Sequence, residues 1–289
     1  MPGWGDASLS TFPAQGARLG DLRNHVQTKE SERMSAAADL GRLACGAPPP
    51  GCTLTEILDH LKTTLSAICI HVESFQKEAA ETQGAAEPTR FALVGPYLGR
   101  SLLEVALTAI LGRLDPFRVL ILREMQMRPD YAAEKRSLVS IHWFGDIHAD
   151  KKVDDLWRTD RQVKDMTRAL LGDYYEQLFW RRAFQSLLDG VSEERGGEWM
   201  RDLRRIPPDA FIPRARQKTA SVYSSCSKGV HHEFVIPASN YYDTATLSSQ
   251  LDDAIEIAAT LALVANASKD ILFQLPLDEA VECFERVQV

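Results

Sequence analysis

A chain of 289 residues is long enough to bury a sizeable core, as one large domain or two small ones. Its apolar and charged fractions, 45% and 25%, are those of an ordinary globular protein, and a net charge of −7 excludes a surface coated for nucleic acid while leaving room for a local basic patch. Five cysteines (Cys45, Cys52, Cys69, Cys226, Cys283) are odd in number, scattered and never at CxxC spacing, so they indicate neither a disulfide framework nor a zinc knuckle but reduced thiols in a cytoplasmic protein.

The opening Met1-Pro2-Gly3-Trp4-Gly5-Asp6 has neither a basic leader nor an apolar core, so no signal peptide is expected. Residues 1–51 are rich in Gly, Ala, Ser and Pro and end in Pro48-Pro49-Pro50-Gly51, which cannot continue a helix. They read as a flexible N-terminal tail and Pro-rich linker, with at most a short, thin-faced helix around Asp21–Leu43. A single α-helical domain is expected over 52–289. Thr53 and Glu56 have capping-box spacing, just ahead of Leu54, Leu58, Leu61, Leu65, Ile68, Val72 and Phe75 at steps of four and three. That stripe predicts a helix to about Glu81; at about three heptads it suits a bundle better than a coiled coil.

Phe91–Leu114 is apolar around most of its circumference, which predicts a central helix. Asp115-Pro116 breaks it and starts another through Met127, and Arg128-Pro129-Asp130 makes a further break before Tyr131–Ile141. Helical patterning resumes from Lys151 to about Leu188, after which Gly196-Gly197 and Ile206-Pro207-Pro208 punctuate the chain. A helix-like stretch begins near Arg214, and a last long helix is predicted from Thr244 to Phe273. The alanines in its middle (Ala254, Ala258, Ala259, Ala262, Ala265) permit a close neighbour. The longest apolar stretches, around Leu102–Leu111 and Ile255–Val264, are too short and interrupted to span a bilayer, so no membrane partner is expected. Phe234-Val235-Ile236 is the only β-like run. The pattern predicts an all-α helical bundle without internal repeat.

Three groups of residues carry possible chemistry. Arg100 and Glu104 lie four apart on the most apolar helix, where an unpaired charge is costly; they form either an internal ion pair that locks packing or part of a polar site. Ser227-Lys228-Gly229-Val230-His231-His232-Glu233 crowds polar groups at the tail of a helix. Steps of four and three from Arg216 put Ala220, Tyr223, Ser227 and His231 on one face, with Gln217, Ser221, Ser224, Lys228 and His232 on the adjoining one. Gly229 favours termination there. The histidines serve either as acid or base near neutral pH, with Lys228 stabilising phosphate charge, or as partners of the helix C-terminal dipole. Upstream, Arg201, Arg204, Arg205, Arg214, Arg216 and Lys218 form the densest basic stretch, which is either a phosphate-contacting patch or a solvated helix edge.

Other chemistries find less support. Gly145-Asp146-Ile147-His148 resembles the opening motif of metallophosphoesterases, but the downstream Asn-His ligands and the β-sandwich that motif needs are missing. His142, Asp146, His148 and Asp150 fit no standard metal signature, and Gly-rich phosphate loops are absent, so neither metal nor cofactor is expected.

Taken together, Arg100-Ser101-Leu102-Leu103-Glu104 on a core helix and Ser227-Lys228-Gly229-Val230-His231 late in the chain resemble HEPN-like helical-bundle proteins, over roughly 53–275. The likeness is to a bacterial branch with an Arg-x-x-x-Glu helix and a later Ser-Lys-x-x-His segment. The resemblance implies a helical, often dimeric protein and a metal-independent endoribonuclease of toxin or phage-defence systems, cleaving RNA by attack of the 2′-hydroxyl. In that reading His231 is general base or acid with His232 in reserve, Lys228 and Arg100 stabilise phosphate charge, and Glu104 orients one of them. Arg204, Arg205, Arg214, Arg216 and Lys218 then contact RNA, and a homodimer brings His231 near its axis. The usual family signature is an arginine followed by four to six residues and then a histidine, whereas the basic residue nearest His231 is Lys228, which lacks the arginine fork. That departure favours the alternative of a non-enzymatic scaffold or antitoxin-like module that binds a protein partner in a defence or toxin–antitoxin system.

Overall fold

The structure, a computed structural model, describes residues 36–82, 88–129, 131, 170–172, 175–230 and 243–288. Among them every regular element is helical: α1 (36–45), α2 (Thr53–Thr82), α3 (Pro88–Leu114), α4 (Pro116–Gln126), a π-helical turn Glu176–Trp180 running into α5 (Arg181–Gly190), α6 (Gly197–Arg204), α7 (Phe211–Val230), α8 (Thr244–Asn266) and α9 (Leu277–Val287). The all-α expectation holds. Of the stretches expected to be helical, Tyr131–Ile141 beyond Tyr131 and the part of Lys151–Leu188 before 170 lie outside the described residues, as do Phe234–Ile236 and the 142–150 cluster, whereas 175–188 is helical as expected.

α3 is the central rod, with α2, α7 and α8 packed around it. Its buried positions, from Phe91 and Ala92 through Leu102, Leu103, Ala106, Leu107 and Ile110, go most of the way round the helix, as its composition predicts. Two glycines let neighbours in. A Cβ at Gly95 would overlap Leu247 of α8, and one at Gly99 would sit 3.0 Å from Cys226 Sγ of α7. The mid-helix alanines of α8 (Ala254, Ala258, Ala259, Ala262 and Ala265) have no accessible surface, so that helix is central as well. By length and hydropathy Arg90–Leu114 meets the measure of a membrane span, contrary to the expectation from its interrupted apolar run; 56% of that window is buried inside the bundle, as befits a core helix.

Two expectations need correction. Residues 36–51 are not a loose tail: Leu40, Leu43, Ala44 and Cys45 of α1 are buried, and Asp39 grips Arg286 of α9 through two bonds of 2.6 and 3.0 Å. Ser66 of α2 adds a hydroxyl donor to Ala37 O of α1 at 3.2 Å. Residues 1–35 lie outside the described residues. At the start of α2, Cys52 and not Thr53 is the cap: Glu56 N donates to Cys52 O, and Cys52 Sγ lies 2.9 Å from Thr55 Oγ1. The leucine stripe of α2 faces the core as read, with Leu61 and Ile68 at its margin.

α8 stops at Asn266, short of the predicted Phe273, because a buried arginine turns the chain. Arg113, one residue before the end of α3, is fully buried and has no carboxylate partner among the described residues. Its five N–H groups are all spent on acceptors: Nε on Leu272 O (2.9 Å), Nη1 on Leu43 O and Ala44 O (3.1 and 3.2 Å), Nη2 on Asn266 Oδ1 and Phe273 O (3.0 and 3.3 Å). Burial pushes this guanidinium down to about 10, still cationic at neutral pH. The C-termini of α1, α3 and α8 meet there, so three negative dipole ends surround the cation. Gly46 follows α1 at φ +69 with Phe273 O against its Cα, a place no other residue fits.

Candidate functional site

The α3 pair is neither sealed in the core nor free. Arg100 Nε lies 3.0 Å from Glu104 Oε1, and the two side chains are 32% and 42% exposed. A third residue joins them: Tyr223 of α7 donates its hydroxyl to the same Glu104 Oε1 at 2.9 Å, and the Arg100 guanidinium stands 4.8 Å over the Tyr223 ring. The ring is buried while its tip meets the carboxylate at the rim. Burial, then the Glu104 charge and hydrogen bond, push the phenol well above its usual range, so it remains a donor at any ordinary pH.

Around this clasp the chemistry is quiet. Cys226, next to Arg100, is fully buried and its thiol is pushed up to about 11 by burial, so it is no nucleophile. The Ser227 hydroxyl weakly opposes the rise of the Tyr223 phenol, yet its buried Oγ makes no hydrogen bond of good geometry among the described residues. Lys228 belongs to the last turn of α7, which passes through Gly229 and is described to Val230; the Lys228 side chain, His231 and His232 lie outside the described residues. Gly99 meets Cys226 and Glu104 meets Tyr223, so α3 and α7 run antiparallel and the end of α7 lies beside the N-terminal half of α3. On that half Leu93, Val94 and Tyr97 are exposed, Tyr97 one turn before Arg100.

The basic stretch is largely engaged within the protein. Arg204 donates to Val191 O and Ser192 O at the end of α5 (2.6 and 2.8 Å). Arg216 donates to Leu171 O (2.8 Å) and lies 3.6 Å from the buried Glu176. Lys218 sits between Asp253 and Glu256 of α8 at 2.9 and 2.7 Å; burial would lower its ammonium, but these carboxylates more than offset it and hold it above the usual range. Arg205 pairs at the surface with Asp202, and Arg214 is exposed. Among the described residues no three His, Cys, Asp or Glu side chains gather as metal ligands.

No family model, curated protein or solved structure matches this chain. The site therefore has to be read from its own geometry. Of the residues singled out in sequence, Arg100 and Glu104 come together and face the helix that carries Ser227 and Lys228. Tyr223, which makes that connection, was visible only as a member of the Arg216–Ala220–Tyr223–Ser227 face; a tyrosine there has no signature until its partner helix is known.

Proposed function

We propose that this protein is a HEPN-like, metal-independent endoribonuclease acting as a toxin or phage-defence effector. The observation that supports the reading is that the Arg100–Glu104 pair stays open to solvent while Tyr223 ties it to the helix leading into the Lys228–His232 segment. Among the described residues Glu104 takes only the Nε–H of the Arg100 fork, so the remaining N–H groups would serve a phosphate.

In the proposed reaction the ribose 2′-oxygen attacks the adjacent phosphorus as the bond to the 5′-oxygen breaks. The products are a 2′,3′-cyclic phosphate and a 5′-hydroxyl, with no redox change. His231 takes the 2′-hydroxyl proton or returns one to the leaving oxygen, with His232 in reserve; Arg100 and Lys228 bear on the charge that builds on phosphate. Phosphate contacts further along the strand fall first to the exposed Arg214 and Arg205, since an exposed pair such as Arg205–Asp202 is readily exchanged. Two copies meeting near their α7 ends would double the local positive potential of an acidic chain.

Purified protein should nick RNA in excess chelator, and His231→Ala should abolish the cleavage. Cleavage that survives the substitution, or that needs a divalent ion, refutes the reading. A second reading, a helical module that binds a protein partner, is favoured by Phe117 and Ile121, which stand exposed one turn apart on α4. Light scattering at micromolar concentration separates the two: a clean monomer without RNA affinity supports the module.

A further inference from the structure

We infer that Tyr223 is the positioning residue of this site: its hydroxyl fixes the Glu104 carboxylate and its ring seats the Arg100 guanidinium, so RNA cleavage depends on a residue that never touches RNA. The inference rests on the ribonuclease reading. Its ground is that one side chain supplies both contacts, at 2.9 Å to Glu104 Oε1 and 4.8 Å from ring centroid to Arg100 Cζ.

Left to themselves, Arg100 and Glu104 would not hold still. A half-exposed pair four residues apart on one helix is weak, and both side chains carry several free rotors. Tyr223 differs in kind. Its ring is buried against α3, so its two torsions are locked by packing, and the one polar atom it owns points at the carboxylate. Because Glu104 Oε1 accepts from both Arg100 Nε and the phenol, the carboxylate transmits the rigidity of α7 to the arginine. A misplaced phosphate-binding group costs turnover more than binding, because its contact matters most as charge develops. Tyr223 also lies one turn before Ser227 on the same helix, whose last turn includes Lys228.

Tyr223→Phe keeps the ring, the packing and the cation–π contact and deletes only the donor. In chelator, with a single-stranded oligoribonucleotide, it should lower kcat roughly tenfold with KM within about twofold, while unfolding still occurs in one cooperative step. Equal kcat in wild type and Tyr223→Phe overturns the inference and leaves the ribonuclease reading standing. Absence of cleavage by the wild type overturns that reading instead, and the clasp is then judged by alkaline titration of phenolate absorbance. There the wild type minus Tyr223→Phe difference isolates one late-titrating phenol, which should titrate earlier in Glu104→Gln. A Tyr223 phenol that titrates alike with and without the Glu104 charge refutes the clasp.

Discussion

Arg113→Met removes five hydrogen-bond donors from a fully buried site and leaves behind what they satisfied. Replacing a buried charged group by an apolar one is often harmless when both partners are replaced, but four of these five acceptors are main-chain carbonyls that no substitution removes. They do not suffer equally. Leu43 and Ala44 are buried and neither carbonyl has another donor to turn to: the amide of Ala47 is committed to Phe273 O at 3.0 Å, and Pro48 has no N–H. Phe273 O keeps Ala47 N, Asn266 Oδ1 keeps Leu275 N at 2.9 Å, and water reaches the half-exposed Leu272. Two orphaned carbonyls at about 1–3 kcal/mol each, the smaller losses elsewhere and the relief of the cation's desolvation leave a net cost of about 4 kcal/mol. That is a large share of the roughly 5–15 kcal/mol by which domains are stable. Arg113→Lys retains the charge but offers three donors at most, and should lose about half as much. Urea unfolding followed by the fluorescence of the buried Trp180 measures both, and the 46–52 link should become protease-sensitive as α1 loosens. A loss below about 1 kcal/mol in Arg113→Met would refute the account, because it would mean that the helix ends do not need the guanidinium.

Arg286→Ala strips the fork from the buried carboxylate of Asp39 and should cost about 2 kcal/mol by the same unfolding assay, less than a fully buried pair because Arg286 is half exposed; Arg286→Lys should recover only part. Among the five thiols, Cys45 and Cys69 are pushed up to about 12 and Cys226 and Cys283 to about 11 by burial, whereas the exposed Cys52 is lowered by its hydrogen bond to the Thr55 hydroxyl and by nearby amides. Iodoacetamide at neutral pH should therefore add one equivalent, at Cys52, by mass spectrometry, and Thr55→Val should slow it. Asp243 caps α8 by accepting from Thr246 N at 2.8 Å, which lowers its carboxyl below the usual range. A folded pKa below the unfolded one gives stability that is present above the unfolded pKa and lost as pH falls through the folded one. The Tm gap between wild type and Asp243→Ala should accordingly narrow in acid, and a gap that widens would contradict the cap.

How far the chain could be read before its fold was known depended on whether the deciding contact was local. Period alone identified the stripe of α2, the all-round apolar α3 and the alanine face of α8, because each of these reports a single helix's own burial. α1 failed that test. Its apolar residues are mostly alanines, with Leu40 and Leu43 the only large ones, and its place in the core also depends on the Arg113 donors and the Arg286 fork, 70 and 247 residues away in sequence. The end of α8 was misread for the same reason. Nothing in Ala267–Phe273 forbids another turn of helix by composition; the carbonyls of Leu272 and Phe273 leave the helix because Arg113 needs them.

The candidate site repeats the pattern at smaller scale. Arg100 and Glu104 were legible because a charged pair at four-residue spacing is conspicuous among leucines, and helical period alone puts them on one face. Which way that face looks was not legible, since an ion pair within one helix says nothing about what stands opposite. The antiparallel register of α3 and α7 decides it, and that register is set by the smallest residue available: Gly99 lets Cys226 approach, which brings Tyr223 level with Glu104 one turn on. A Cβ at position 99 would stand 3.0 Å from Cys226 Sγ and 3.2 Å from a Leu251 methyl, so those side chains would have to give by a few tenths of an ångström. The glycine that looks inert in the sequence is thus one of the residues that let α7 lie close enough for Tyr223 to reach Glu104.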